Sequence, residues 1–208
     1  MSIASSTHSL AAIEIPAALP TEPVMRFSVE QYHEMIRVGI LQDGDPVELL
    51  EGWLVTKMNK NPPHVIALAL VAKAIDRLLP SGWHVKTQDP VTTESSEPEP
   101  DVSIVRGDVR DYFDRHPGPA DSAIVVEVAD SSLSRDRGIK RRIYARAAVP
   151  VYWIVNLVDR QIEVYSDPSG PAEKPEYRQE KIFAATDEVP VLLGQQELGR
   201  LRVADLLP

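Results

Sequence analysis

Ala123-Ile124-Val125-Val126-Glu127-Val128-Ala129 is the most apolar stretch of this chain, and a carboxylate stands in its middle. A β-branched run bounded by polar residues predicts a central strand buried on both faces. An unpaired charge there is strongly unfavourable, so something positive must meet Glu127. A structural arginine or lysine would serve, and so would a bound metal ion. Two flanking features favour the metal. An earlier apolar segment, Pro100-Asp101-Val102-Ser103-Ile104-Val105, carries an acid at its head, and a basic segment follows Glu127 directly.

That basic segment sets Arg135, Arg137, Lys140, Arg141, Arg142 and Arg146 against Asp136 alone. We expect a helix there from about Ser134 to Ala147, capped by Ser134 and stopped by Val149-Pro150. A charge run of this kind is often no more than a solvated helix face. Its position behind the buried acid points instead to an anionic partner. The chain as a whole carries a formal net charge of -9, which argues against a protein that coats nucleic acid by bulk electrostatics.

Working outward, Ser28 and Gln31 form a capping-box pattern, and Val29, Tyr32, Met35 and Ile36 give helical spacing up to Gly39. Val47 to Leu50 and Trp53 to Met58 read as two arms of a hairpin turning at Glu51-Gly52, with Glu48 in the first arm. After Asn61-Pro62-Pro63 a second helix is expected, its apolar face marked by Val65, Leu68, Ala69, Ala72, Ile75, Leu78 and Leu79. Trp83 to Val91 reads as a strand, and Thr92 to Pro100 as a connection that delivers Asp101 to the next one. Residues 106 to 122 form a long polar excursion. Beyond the basic helix, strands are expected over Val151 to Asn156, Gln161 to Ser166, Tyr177 to Phe183 and Val189 to Leu193. Residues 1–22 lack periodicity and are expected to be a flexible tail, leaving 23–208 as a single domain. The pattern is α/β in the mixed α+β sense, one mixed sheet flanked by helices.

The absence of cysteine leaves only oxygen and imidazole ligands for a metal and fits a cytoplasmic setting. No apolar segment approaches the roughly 20 residues needed to span a bilayer. Asp101 and Glu127, brought to neighbouring strands, would repel unless a cation held both ionised. A hard cation such as Mg²⁺ suits two carboxylates and retained water, polarises a phosphoryl oxygen, and fits phosphodiester hydrolysis. Lys140 supplies a compact charge to orient water or stabilise a developing anion, and Tyr144 shares its helix face.

The ordered set Phe27-Ser28, Tyr32, Gly39, Val47-Glu48-Leu49-Leu50-Glu51-Gly52, His64, Pro100-Asp101, Glu127-Val128, Asp136, Lys140, Tyr144-Ala145 and Val149 to Val155 resembles the Uma-type family of putative restriction endonucleases, within the PD-(D/E)XK nuclease superfamily. The resemblance spans roughly residues 25 to 205. It implies a restriction-endonuclease-like core and an Mg²⁺- or Mn²⁺-dependent endonuclease acting on DNA. In that pattern Asp101 and Glu127 ligate the metal, the Val128 carbonyl completes the coordination, and Glu48 is an additional upstream acid. Ala129 departs from the pattern, standing where the third motif position has lysine, and Lys140 from the following helix would replace it. His64 and Gln88 are candidate supporting residues, with capping and surface roles as their alternatives. Asp136 would cap the helix or pair with Arg137 or Lys140, and Tyr152 and Trp153 read as core. No separate DNA-reading module is evident, and a homodimer would match the two strands of a duplex. The competing readings are a catalytically silent binding or assembly protein on the same scaffold, and a metal-dependent hydrolase of a smaller phosphoester.

Overall fold

The structure, a computed structural model, describes residues 24–42 and 44–208. The expected tail over residues 1–22 lies outside them. Helix α1 (Val29–Arg37) starts where the sequence places it, because Ser28 and Gln31 form a reciprocal capping box. Strands β1 (Val47–Leu50) and β2 (Trp53–Thr56) make a separate two-stranded hairpin. Its turn uses positive φ at Glu51 and Gly52. A Cβ on Gly52 would lie 2.6 Å from Arg26 Cβ, so the turn needs glycine for space as well as for conformation.

The centre is a six-stranded mixed sheet made of β3 (Trp83–Thr87), β4 (Val102–Arg106), β5 (Ser122–Ala129), β6 (Val151–Asn156), β7 (Gln161–Pro168) and β8 (Tyr177–Ala184), adjacent in that order. Every neighbouring pair is antiparallel except β5 and β6, whose crossover carries the basic helix. All eight residues of β5 are buried, as its unbroken apolar run requires. Alternation divides them between two layers. Ile124, Val126 and Val128 face α2 (Pro62–Asp76) and a second two-stranded hairpin, β9 (Glu188–Leu193) with β10 (Gln196–Arg202). Val125 and Ala129 face Tyr144, Ala145 and a cluster of tyrosines on the other side. Glu127 shares that second face and therefore points at the basic helix.

Four expectations change. Strand β3 ends at Thr87, not Val91, because Gln88 takes a φ of 56° and turns the chain. Strand β10 was unread because Gln196–Arg202 is polar, mostly exposed and paired only with β9. On α2 the buried line is Ala67, Val71 and Ile75, while Val65 and Ala69 lie exposed. The basic helix begins at Leu133, so Ser134 lies inside it and does not cap it. That helix comprises α3 (Leu133–Arg135), a π-helical turn over Asp136–Lys140, and α4 (Arg141–Arg146). Among the described residues no helix is long and apolar enough to cross a membrane.

Candidate active site

Strand register brings the first two acids together. Val102 pairs with Val126 across β4 and β5, so Asp101, one residue before β4, lies level with Glu127 on the same face. The amide of Val128 donates to Asp101 Oδ2 at 2.9 Å, and His64 Nε2 lies 3.1 Å from the same oxygen. Asn61 caps α2 by accepting from the His64 amide. His64 reaches the strand end because it continues the buried line of α2 one turn toward the helix start.

The third element is the π-turn. The Arg141 amide donates to the Asp136 carbonyl, five residues back, and this widened turn lets Asp136 and Lys140 both be buried. Lys140 Nζ lies 3.0 Å from Glu127 Oε1 and 3.3 Å from Glu48 Oε2. Tyr144, one turn later, donates its hydroxyl to Glu127 Oε1 at 2.8 Å. Glu48 enters from the β1–β2 hairpin and also accepts from the Glu99 amide at 3.2 Å. The hairpin is fastened to the same helix at both ends: Arg142 and Arg146 pair with Glu51, and Arg135 donates to the Thr56 carbonyl.

Glu48, His64, Asp101, Glu127, Val128, Asp136 and Lys140 line one pocket, which leaves about 60 Å³ for water centres. At roughly 10–15 Å³ per water, that is room for a few waters or a small ion. Tyr144 touches the pocket through Glu127. Gln88 does not line it; its side chain borders a neighbouring cleft with Glu97 and Glu99. Its amide instead bonds the Pro100 and Asp101 carbonyls, so Gln88 supports the segment that presents Asp101. Asp136 was read as a cap or ion-pair partner, yet it lines the pocket and accepts from Ser132 Oγ at 2.6 Å. The sequence signal for it was the spacing of Asp136, Lys140 and Tyr144, four residues apart each time, on one helix face.

Burial sets the electrostatics. It pushes the Glu127 carboxyl up, opposed by Lys140 and reinforced by Asp136, Asp101 and Glu48. Burial also works against the Lys140 ammonium, but Glu127, Glu48 and Asp136 outweigh it and hold the group protonated above its ordinary range. For Asp101 the cost of burial is overcome by His64, the Val128 amide and Lys140, and its carboxyl stays below the usual value. Asp136 is raised by burial. The lysine is therefore the resident cation that the apolar Glu127 strand demanded.

The acids do not form a three-carboxylate cage. Among the described residues no group of three or more His, Asp or Glu side chains is arranged to hold a metal. Glu48, expected as a further metal ligand, lies here 3.3 Å from Lys140 Nζ as one of its two counter-ions. Asp101 Oδ1 and Glu127 Oε2 make no protein hydrogen bond among the described residues. Two carboxylates with retained water are a sufficient donor set for Mg²⁺, so a two-acid site fits.

The basic helix does not present a free cationic face. Arg137 pairs with Glu163, Arg142 and Arg146 with Glu51, and Lys140 with Glu127 and Glu48, while Arg141 lies over the Tyr165 ring. Most of its charge is matched by acids of the same chain, although Arg137, Arg142 and Arg146 remain partly exposed.

A search of curated proteins finds no match. Among solved structures, the chain is similar to a protein of Anabaena variabilis ATCC 29413 titled a putative nuclease belonging to DUF820. The TM-score is 0.65 at 15% identity, covering 86% of this chain and 97% of that one. This likeness shows a shared fold. The profile of the Uma2 family, described as "Putative restriction endonuclease", matches residues 29–204, an interval that holds the hairpin, both central acids and the crossover helix, and the chain belongs to that family.

Proposed function

We propose that this pocket hydrolyses phosphodiester bonds of DNA with the help of a divalent cation, Mg²⁺ or Mn²⁺. The observation that carries the reading is the convergence of Asp101, Glu127, Glu48 and Lys140 from four separate segments into one small pocket, with Lys140 Nζ 3.0 Å from Glu127. Buried charges assembled at this cost are more often functional than structural. Asp101 and Glu127 would hold the cation through the oxygens they leave free. When bound, the cation polarises a phosphoryl oxygen and offsets charge in the displacement. The rest falls to the chain itself. Val128 and His64 fix the Asp101 carboxylate, and Tyr144 fixes the orientation of Glu127. Lys140 stands in for the lysine missing at Ala129: it offsets the acids in the resting pocket and supplies positive charge beside the reacting phosphate. Two copies related by a two-fold axis would present two such pockets to a duplex.

A second reading is favoured by one observation. Lys140 already sits between Glu127 and Glu48, so the buried Glu127 has a resident counter-ion without any added metal, as it would in a catalytically silent binding scaffold. Purified protein with Mg²⁺ or Mn²⁺ should cut at least one of plasmid, single-stranded DNA and RNA, and Glu127→Gln should abolish cutting. Calorimetric titration with Mn²⁺ should show binding to the wild type and not to Asp101→Asn. Failure of all substrates together with absent Mn²⁺ binding would sink the hydrolytic reading and leave the scaffold.

A further inference from the structure

The rim of the pocket decides how a polyanion reaches it. Four cationic side chains line the pocket: Lys57, Lys60, Arg135 and Lys140. Lys57 is paired with Glu99. Arg135 donates to the Thr56 carbonyl and lies 3.8 Å from Glu48. Lys140 is buried between two carboxylates. Lys60 alone has no ion-pair partner among the described residues, and it is exposed on the loop between β2 and α2. The six cations of the crossover helix cannot take its place, because most are already matched to internal acids or seated on an aromatic ring.

The two sides of the mouth also differ in charge. Toward Lys57 and Glu99 the pocket adjoins a cleft bordered by Asp45, Asp89, Glu97 and Glu99, with Lys57 its sole lysine or arginine. Lys57, His33 and Lys86 offset Glu99, Glu97 and Asp89 there, but among the described residues no unpaired lysine or arginine remains to attract a phosphate backbone on that side. The opposite side is formed by Asn59, Lys60, Asn61, Ser131 and Ser132, with Asp130 held by Asn61 at 2.5 Å. The pocket is lined mainly by charged and amide side chains, with no Phe, Tyr or Trp among the described residues on which a nucleobase could stack.

We propose that Lys60 is the phosphate-positioning residue of this pocket: it holds the phosphate next to the reacting one, on a nucleic-acid strand that crosses the mouth on the side of residues 59–61 and 130–132, with no base drawn inside. The proposal rests on the nuclease reading and deepens it. Lys60 sits on an exposed loop, so its removal leaves the core intact. A fluorescein-labelled duplex and the same single strand, each titrated with the protein in EDTA by fluorescence anisotropy over a series of salt concentrations, separate the possibilities. Lys60→Ala should lower the slope of log affinity against log salt by about 0.9 for duplex or about 0.7 for single strand, the value of one phosphate contact. Lys60→Glu should weaken binding further at every salt concentration. Lys73→Ala, on α2 away from the pocket, should match the wild type, and Mn²⁺ binding by calorimetry should be the same in all four proteins. A Lys60→Ala slope equal to that of the wild type overturns the proposal alone. Absence of binding by the wild type to either nucleic acid overturns it together with the nuclease reading beneath it.

Discussion

At the scale of single residues, Lys140 carries two duties that a mutation can separate. Its ammonium keeps two buried carboxylates company, and removing one member of a buried ion pair usually costs about 3–5 kcal/mol, because the remaining charge is left uncompensated. Lys140→Met should therefore lower unfolding stability by that order in urea titration. Adding Glu127→Gln should return part of the loss, since it removes one of the two stranded charges. A double variant as unstable as the single one would show that the lysine stem, not its charge, matters. Activity should stay absent in both. Gly52 offers a contrast that involves no charge. With φ at 81° and Arg26 Cβ 2.6 Å from where a side chain would begin, Gly52→Ala should cost about 1–3 kcal/mol and displace Glu48. Thermal melting, with Mn²⁺ affinity measured alongside, checks both effects. Trp153, whose buried Nε1 has no protein partner among the described residues, is fully buried in the main core, so Trp153→Phe should destabilise through the cavity it leaves and not through a lost protein hydrogen bond.

At the scale of elements, the crossover helix is where the sequence was hardest to read. The run Ala123 to Ala129 announced its own strand, and Ser28 with Gln31 announced α1, because burial pattern and capping are local signals. The π-turn is not local. It buries Lys140 against Glu127 and Glu48, partners that lie far away in the chain, and periodicity at 3.6 residues cannot register one extra residue. The Ser134 cap was misplaced because the helix already starts at Leu133, and the pairing of the basic face with Glu51 and Glu163 needs the folded chain. Deleting Gly138 should regularise this turn and rotate Lys140 away from Glu127. We expect nuclease activity to vanish while helical circular dichroism is retained. Arg137, on the same turn, anchors it to β7 through Glu163, which is 1% exposed. Burial would raise the Glu163 carboxyl, but Arg137, Asn156, Tyr165 and Gln161 outweigh it and bring it down to about 2. A carboxyl lower in the folded state than in the unfolded one stabilises above its unfolded pKa. Its contribution, at most about 3 kcal/mol, should then be lost as pH falls from 4.5 toward 2. Glu163→Gln should flatten the stability curve across that acid window and leave its neutral-pH shape unchanged.

At the scale of the whole molecule, fold class and the pair Asp101 and Glu127 were legible because each rests on one strand's pattern and a simple register. The clamp of Glu48 by Lys140 was visible only as a list of charged residues, since it needs the hairpin, the sheet and the crossover all in place. The parallel seam between β5 and β6 makes this concrete. β6, β7 and β8 can assemble as a local meander, and β1 with β2 as a hairpin, whereas β5 and β6 pair only after the whole crossover has closed. Weakening the seam, as with Val126→Ala opposite Trp153, should slow refolding in stopped-flow more than it speeds unfolding if the seam belongs to the nucleus, and Ile182→Ala on β8 should do neither appreciably. Since Lys140 and Tyr144 both ride on that crossover, a chain that has made every one of its nearest-neighbour turns still leaves Glu127 without its two side-chain partners. The clamp on Glu127 is thus complete only when the crossover has closed, and it is lost whenever that segment locally opens.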